Sequence, residues 1–445
     1  MGFIFAMRVL LFIFFSYCGT ALAAPGTAPQ HFLTPEGMTV ILLESHANPM
    51  VEVRLTLLGG SAQDPIGKEG LAALTAWMFN EGGGELDTVA FREKLDFYGI
   101  SLSSEANRET QEVHMTTLTT YLDKAWSLMA DALLRPRFDA TDFARAQADT
   151  LATLLKNKER PDVQANQAMM ATIYGSHPYG RPEEGTPESV KNVRLEDLKW
   201  FHNQAFRSSN MVLAVAGDIH MERLKGLVRG FLSGLPKDPG YFTWPASAKV
   251  GGQGAQNYVR MDIPQTDLRL GLVGIDRQDP DYYAAIVLNH ILGGADFGSR
   301  LTEEIREKRG LTYSVYSYFS PLSARGPFII GLKTKTESAR LALDLVLSEV
   351  DKMARDGVTE KELQDAKQYL TGSFPLRLDG LGKLADNWAT IGFYHRGWDY
   401  LARWPERILA VTQEDLRRIA TKLLDIKRLH IVAVGRENPF LADNP

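Results

Sequence analysis

The sequence predicts an α+β fold of two homologous domains, each a sheet covered by helices. Two observations lead to this prediction. The chain has 445 residues, more than a single hydrophobic core usually contains. Strand-like and helix-like segments also follow the same order twice, once on each side of a stretch rich in proline and glycine. We therefore expect a duplicated unit.

Composition and charge exclude some classes of function. Hydrophobic residues make up 44% of the chain and charged residues 23%, which is typical of a folded globular protein. The formal net charge is -5 and no basic cluster interrupts it. Because nucleic acid is bound largely through clustered positive charge, we expect no nucleic-acid partner.

Residues 1–23 are predicted to be a secretory signal peptide. Arg8 precedes an apolar stretch at residues 9–17, and Ala21-Leu22-Ala23 has the A-x-A form of a cleavage site. The apolar stretch is well short of the ~20 residues that span a bilayer, which disfavours the alternative of a retained anchor. We expect a mature chain without a membrane span, exported, and periplasmic if the source is bacterial.

The only cysteine, Cys18, lies within the predicted signal peptide. The mature chain would then contain no thiol, which excludes disulfides and zinc sites built on cysteine. Any metal site would have to use His, Asp and Glu.

The first predicted domain comprises residues 24–234. It opens on two alternating strands at residues 38–45 and 51–59, which we expect to form a β-hairpin around the turn-forming residues 46–49. Helical periodicity follows at residues 70–82 and a strand-like pattern at residues 99–118. An amphipathic helix is predicted at residues 122–138 and a buried strand at residues 210–217.

Residues 235–254 concentrate proline and glycine without a sustained period, which predicts a linker. The second predicted domain, residues 255–445, then repeats the order of elements. Its last strand, LHIVAVG at residues 429–435, echoes MVLAVAG at residues 211–217. This echo supports the duplication.

Common catalytic and nucleotide-binding motifs are missing from the sequence. It contains no HExxH, HxxEH or GxSxG, and no phosphate-cradling glycine loop. The glycines at residues 293–298 lack the spacing of a dinucleotide fingerprint, and a helix end with a tight turn explains them better.

Several phrases together resemble the pitrilysin/insulinase metallopeptidase family. They are GLAALTAWMFNEG from Gly70, HPYGRP from His177, the buried run at residues 210–217, and SRLTEEIREKRGLTYSVYS at residues 299–317. The resemblance covers nearly the whole mature chain. It implies that the two domains form a clam-shell around an enclosed chamber.

The resemblance also implies that this chain has lost the zinc site of the family. There, HxxEH places two zinc ligands and a general base on one helical face. The matching positions here are Ala73, Ala76 and Trp77. The third family ligand, a Glu ahead of an acidic-x-Pro bend, corresponds to a position near Thr153. We therefore expect no catalytic residue and no metal ligand in this chain.

Arg306 and Tyr313 match the Arg and Tyr with which the family holds substrate across the chamber. Without the resemblance, Arg306 would be explained as a cation near the end of a helix, where it favours the helix dipole. Tyr313 would be explained as a packed strand residue. With it, the pair is predicted to bind substrate.

We interpret the chain as a non-catalytic, substrate-contacting subunit of an exported zinc-dependent peptidase complex, inactive alone. A homologous partner would carry HxxEH and the zinc, while Arg306 and Tyr313 would contact an extended peptide substrate. Both side chains can donate hydrogen bonds to a peptide carbonyl or to the oxyanion that develops from it. The alternative is a peptide-binding or structural module without peptidase activity. An independent zinc peptidase is the least favoured interpretation.

Overall fold

The structure is a computed structural model that describes residues 29–236, 240, 242–249, 251–295 and 297–441. The predicted signal peptide and Cys18 lie outside the described residues. Within them, no helix is both long enough and apolar enough to cross a membrane. The described part of the predicted linker contains neither helix nor strand.

Two sheets contain the strands of the described chain. The strands of the first sheet are β1 (Gln30–Leu33), β2 (Thr39–Glu44), β3 (Met50–Leu58), β4 (Ser101–Ala106), β5 (Thr110–Leu118) and β6 (Met211–Gly217). Those of the second are β7 (Gln256–Arg260), β8 (Gln265–Val273), β9 (Thr312–Phe319), β10 (Pro327–Lys335) and β11 (His430–Gly435). Their spatial orders are β1-β2-β6-β3-β5-β4 and β7-β11-β8-β10-β9.

Helices follow the strands in both halves of the chain. The first half contains α1 (Leu71–Met78), α2 (Thr88–Tyr98), α3 (Leu122–Leu134), α4 (Ala140–Asn157), α5 (Pro161–Tyr174), α6 (Pro187–Asn192), α7 (Leu195–Ala205) and α8 (Met221–Ser233). The second half contains α9 (Tyr282–Asn289), α10 (Ala339–Asp356), α11 (Glu360–Ser373), α12 (Leu381–Phe393), α13 (Tyr400–Leu409) and α14 (Gln413–Leu423).

The predicted duplication is confirmed by the pairing of the two echoing strands. β6 pairs in parallel with β2 and antiparallel with β3. β11 pairs in parallel with β7 and antiparallel with β8. Both strands therefore hold the same place in their sheets, and the fold is α+β with two homologous domains.

The predicted hairpin of β2 and β3 is wrong, because β6 lies between them. Every residue of β6 is buried, so this strand is more stable in the middle of the sheet than at its edge. A short turn between two strands does not exclude such an insertion. The hairpin that does form joins β2 to β1, which the sequence did not reveal.

The two halves exchange helices. α5 of the first half packs on β8 and β11 of the second sheet, whereas α12 of the second half packs on β3 and β6 of the first sheet. The contact of α5 is apolar, and its members include Ala165, Met169, Ile173, Ile329, Val432 and Val434. Each sheet is thus covered in part by a helix from the opposite half, which locks the halves together.

A buried carboxylate also joins the halves. Glu109, which is 1% exposed, accepts hydrogen bonds from the hydroxyls of Tyr179, Ser323 and Tyr394, the last at 2.8 Å. The backbone N–H of Ser323 donates to the same carboxylate at 3.1 Å. Glu109 and Tyr179 belong to the first half, and Ser323 and Tyr394 to the second. A buried polar side chain is tolerated when it is hydrogen-bonded in this way.

We predict that Glu109→Ala lowers the free energy of unfolding by about 3 kcal/mol or more, because each buried donor left without an acceptor costs about 1–3 kcal/mol. Urea unfolding followed by circular dichroism measures this change. The matched control is Glu105→Ala on the neighbouring strand β4, where the side chain is exposed and a change within about 0.5 kcal/mol is expected. Equal unfolding midpoints for Glu109→Ala and the parent would contradict the prediction.

Candidate functional site

A cavity of about 500 Å³ lies where the resemblance places the family's zinc site. Its walls come from α1, the edge strand β4 and α4, and they include Ala73, Trp77 and Thr153. The structure therefore brings together residues that are about eighty positions apart, as the resemblance implies. A second cavity of about 390 Å³ adjoins it and shares Thr153 and Glu184 with it.

The start of α1 is fixed by a buried carboxylate and a glycine. Asp64 accepts hydrogen bonds from the N–H groups of Gly70 and Ala72, both at 2.8 Å. Burial raises the pKa of Asp64 to about 7, although both N–H groups favour its charged form. Gly70 has φ +97° and a Cβ there would lie 2.7 Å from the carbonyl oxygen of Glu184. Only glycine fits this entry to the helix.

The segment from His177 to Pro182 holds the start of α1 in place. The guanidinium of Arg181 donates to the backbone carbonyl of Asp64 at 2.7 Å and to that of Ala62 at 3.1 Å. Tyr179, two residues earlier, donates to the buried Glu109. The segment therefore connects the cavity helix to the contact between the halves.

An ion-pair network occupies the exposed side of α1. The indole N–H of Trp77 donates to Glu81 at 2.9 Å. Glu81, which is 2% exposed, also accepts from Arg92 at 3.0 Å and from Arg145 at 2.7 Å. No sequence pattern identifies Glu81, which lies three residues beyond the end of α1. Its arginine partners are remote in sequence and gave no signal.

The residues at the family's zinc positions do not fit a zinc ion. Ala73 and Ala76 end in methyl groups, and the indole of Trp77 is a hydrogen-bond donor only. Thr153 offers a neutral hydroxyl. A catalytic zinc ion is held by three protein ligands drawn from His, Asp, Glu and Cys, so no metal step can be assigned to this cavity.

Arg306 and Tyr313 lie together on the second half. Arg306 belongs to a π-helical segment, Thr302–Glu307, and Tyr313 to β9, the edge strand of the second sheet. The guanidinium carbon of Arg306 is 5.5 Å from the ring centre of Tyr313 and 5.3 Å from that of Phe297, within cation–π range. Tyr313 is 88% exposed. Neither Arg306 nor Tyr313 lines the cavity beside α1.

Two family models match the chain. The model described as insulinase (peptidase family M16) matches residues 39–187, and the model described as peptidase M16 inactive domain matches residues 192–370. The first match lies within the first half, whereas the second begins in the first half, where it includes β6, and ends before α12 and β11.

Curated relatives carry different names. The "non-peptidase homolog YmxG" of Helicobacter pylori is 29% identical over 84% of this chain and 84% of its own length. The "uncharacterized zinc protease YmxG" of Bacillus subtilis is 24% identical over 79% of this chain and 84% of its own length.

Solved structures share the fold. A structure described as the peptidase M16 inactive domain from Pseudomonas fluorescens has a TM-score of 0.88 and 32% identity, covering 92% of this chain and 98% of its own. A protease from Helicobacter pylori has a TM-score of 0.85 at 18% identity, covering 92% of this chain and 100% of its own. This chain belongs to the insulinase family, peptidase family M16, as a homologue whose zinc positions hold no metal ligand.

Proposed function

We propose that this chain is a non-catalytic, substrate-contacting subunit of an exported zinc-dependent peptidase complex. A homologous partner supplies HxxEH and the zinc ion, and this chain supplies Arg306 and Tyr313. One observation carries the proposal: the zinc positions hold no ligand, whereas Arg306 and Tyr313 lie side by side with the tyrosine in solvent.

The surroundings of the pair suit an extended peptide. In the described chain β9 pairs only with β10, so its other edge can accept a peptide as an added strand. The hydroxyl of Tyr313 and the guanidinium of Arg306 then lie near the peptide backbone as donors. The adjacent segment Thr302–Glu307 is π-helical, a conformation frequent at functional sites.

The relatives support both parts of the proposal. One is named as a non-peptidase homologue, which agrees with the missing ligands, and another is named as a zinc protease, the kind of chain expected as partner. Export rests on the predicted signal peptide at residues 1–23. Isolation of the chain from its native host, with identification of the proteins bound to it, tests partner and location together.

The second candidate is a peptide-binding or structural module without a peptidase partner. The cavity beside α1 favours it, because about 500 Å³ remains open although its walls offer no catalytic group at the family positions. Isolation of this chain without any HxxEH-bearing homologue would favour the second candidate.

We predict that Arg306→Ala and Tyr313→Phe each lower peptide hydrolysis by the isolated complex about 10²-fold, because each removes a donor aimed at developing charge. The measurement is kcat/KM on a fluorogenic peptide, with size-exclusion chromatography to verify assembly. Matched controls are Arg309→Ala, whose guanidinium is already paired with Glu304, and Tyr369→Phe, which is 62% exposed on α11. Both controls should hydrolyse peptide like the parent.

Normal hydrolysis by assembled Arg306→Ala and Tyr313→Phe complexes would refute the shared site. Loss of assembly in these variants alone would assign the pair to the subunit interface and would equally refute a substrate role.

We also predict that the triple variant Ala73→His, Ala76→Glu and Trp77→His remains without peptidase activity. It restores two ligands and the base, but Thr153 leaves the third protein ligand missing. Peptide hydrolysis with and without added Zn²⁺ checks this. Metal-dependent turnover by the triple variant would mean that another wall residue, such as Glu184, completes the site.

A further inference from the structure

A cluster of two histidines and two carboxylates lies where β2 and β6 end. These strands run in parallel, and Glu44 at the end of β2 is in register with Gly217 at the end of β6. The loops that leave the two strands carry His46 on one side and Asp218 and His220 on the other. None of these residues lines the cavities beside α1.

The cluster has the geometry of a ligand set. Oε1 of Glu44 lies 2.9 Å from Nε2 of His46 and 2.6 Å from Nδ1 of His220. The ligand atoms of Glu44, His46 and His220 all lie within 4.8 Å of one another. Both imidazoles are exposed, so small side-chain rotations can bring the three atoms to the ~2.0–2.2 Å at which zinc binds nitrogen and carboxylate oxygen.

Asp218 gives His46 the support that a metal ligand usually has. Its Oδ1 is hydrogen-bonded to Nδ1 of His46, the ring nitrogen that does not face Glu44. A carboxylate on the far nitrogen of a ligating histidine fixes the tautomer and the ring orientation, and it makes the near nitrogen a stronger ligand. The loops are themselves tied together, because Ser45 N–H donates to the carbonyl of Gly217 at 2.9 Å.

We propose that Glu44, His46 and His220 bind a divalent transition-metal ion such as Zn²⁺, and that Asp218 positions His46. Two imidazoles and one carboxylate form the nitrogen and oxygen set that suits Zn²⁺, whereas Ca²⁺ and Mg²⁺ prefer oxygen ligands alone. Three protein ligands leave a fourth position for water or for a group from a second molecule. The bound ion joins the loops that follow β2 and β6.

The sequence alone predicts no metal site, since no two histidines have helical spacing and the family's zinc positions hold no ligand. This cluster could not appear there, since His46 and Asp218 are 172 positions apart. Only the parallel pairing of β2 and β6 brings them together. The inference is independent of the proposed peptidase complex.

The test uses the mature full chain, purified without a histidine tag and stripped with EDTA. Isothermal titration with ZnCl₂ should show one site per chain, and titration with MgCl₂ should show none. The double variant His46→Ala/His220→Ala should bind Zn²⁺ at least 100-fold more weakly. Zn²⁺ should also raise the melting temperature of the parent but not that of the double variant, because a ligand that binds only the folded state stabilises it.

Two further variants separate the roles of the residues. Asp218→Asn should retain the one-site stoichiometry and lose about 10–100-fold in affinity, as expected for a group that orients a ligand. His114→Ala is the matched control, because His114 on β5 lies in the other His-containing acidic group of the described residues, with Glu105 and Glu112. Its affinity for Zn²⁺ should equal that of the parent.

Three outcomes would overturn the proposal. The parent could bind no Zn²⁺, which would leave the cluster as a hydrogen-bonded ion-pair network. The double variant, shown to be folded by circular dichroism, could bind as the parent does. Binding could instead be lost in His114→Ala, which would place the ion on β4 and β5.

Discussion

The buried carboxylate of Glu109 is the interaction on which the arrangement of the two halves depends. Its side chain accepts hydrogen bonds from Tyr179 in the first half and from Ser323 and Tyr394 in the second. Its backbone carbonyl accepts from the N–H groups of Gly59 and Gly60, at 3.1 and 3.0 Å, at the end of β3. One residue therefore fixes both the approach of the halves and the path of the chain toward α1, because a buried polar group needs its hydrogen-bond partners in place.

A second set of contacts, away from the family's zinc positions, holds the helix beside the cavity. The cavity helix α1 is held by Asp64 at its start and by Arg181, which binds the backbone of the preceding turn. The indole N–H of Trp77 on α1 donates a hydrogen bond to Glu81. Arg92 on α2 and Arg145 on α4 form ion pairs with the same carboxylate. These contacts hold α1 and the adjacent wall of the cavity through side chains other than those at the family's zinc positions.

The sequence predicted the duplication and, through the family resemblance, the grouping of Ala73, Trp77 and Thr153, but not how the halves contact each other. The echo of residues 211–217 in residues 429–435 was sufficient for the duplication, because a strand buried on both faces leaves a strong apolar signal. Periodicity along α5 and α12 shows which face is apolar, yet it does not say which sheet covers that face. The exchange of these helices and the insertion of β6 are set by long-range packing, which leaves no local pattern in the chain.

Folding energetics give little reason for the exposed tyrosine on β9. Tyr313 is 88% exposed, and a cation–π contact at such a surface contributes only about 0.5–1 kcal/mol. Its neighbours Tyr316 and Tyr318 stack on one another along the same strand, with ring centres 6.0 Å apart. A sheet edge rich in aromatic groups is usually a liability, because it invites pairing with other chains. Such an edge is advantageous where pairing with an extended peptide is the function, which agrees with the proposal that β9 binds peptide.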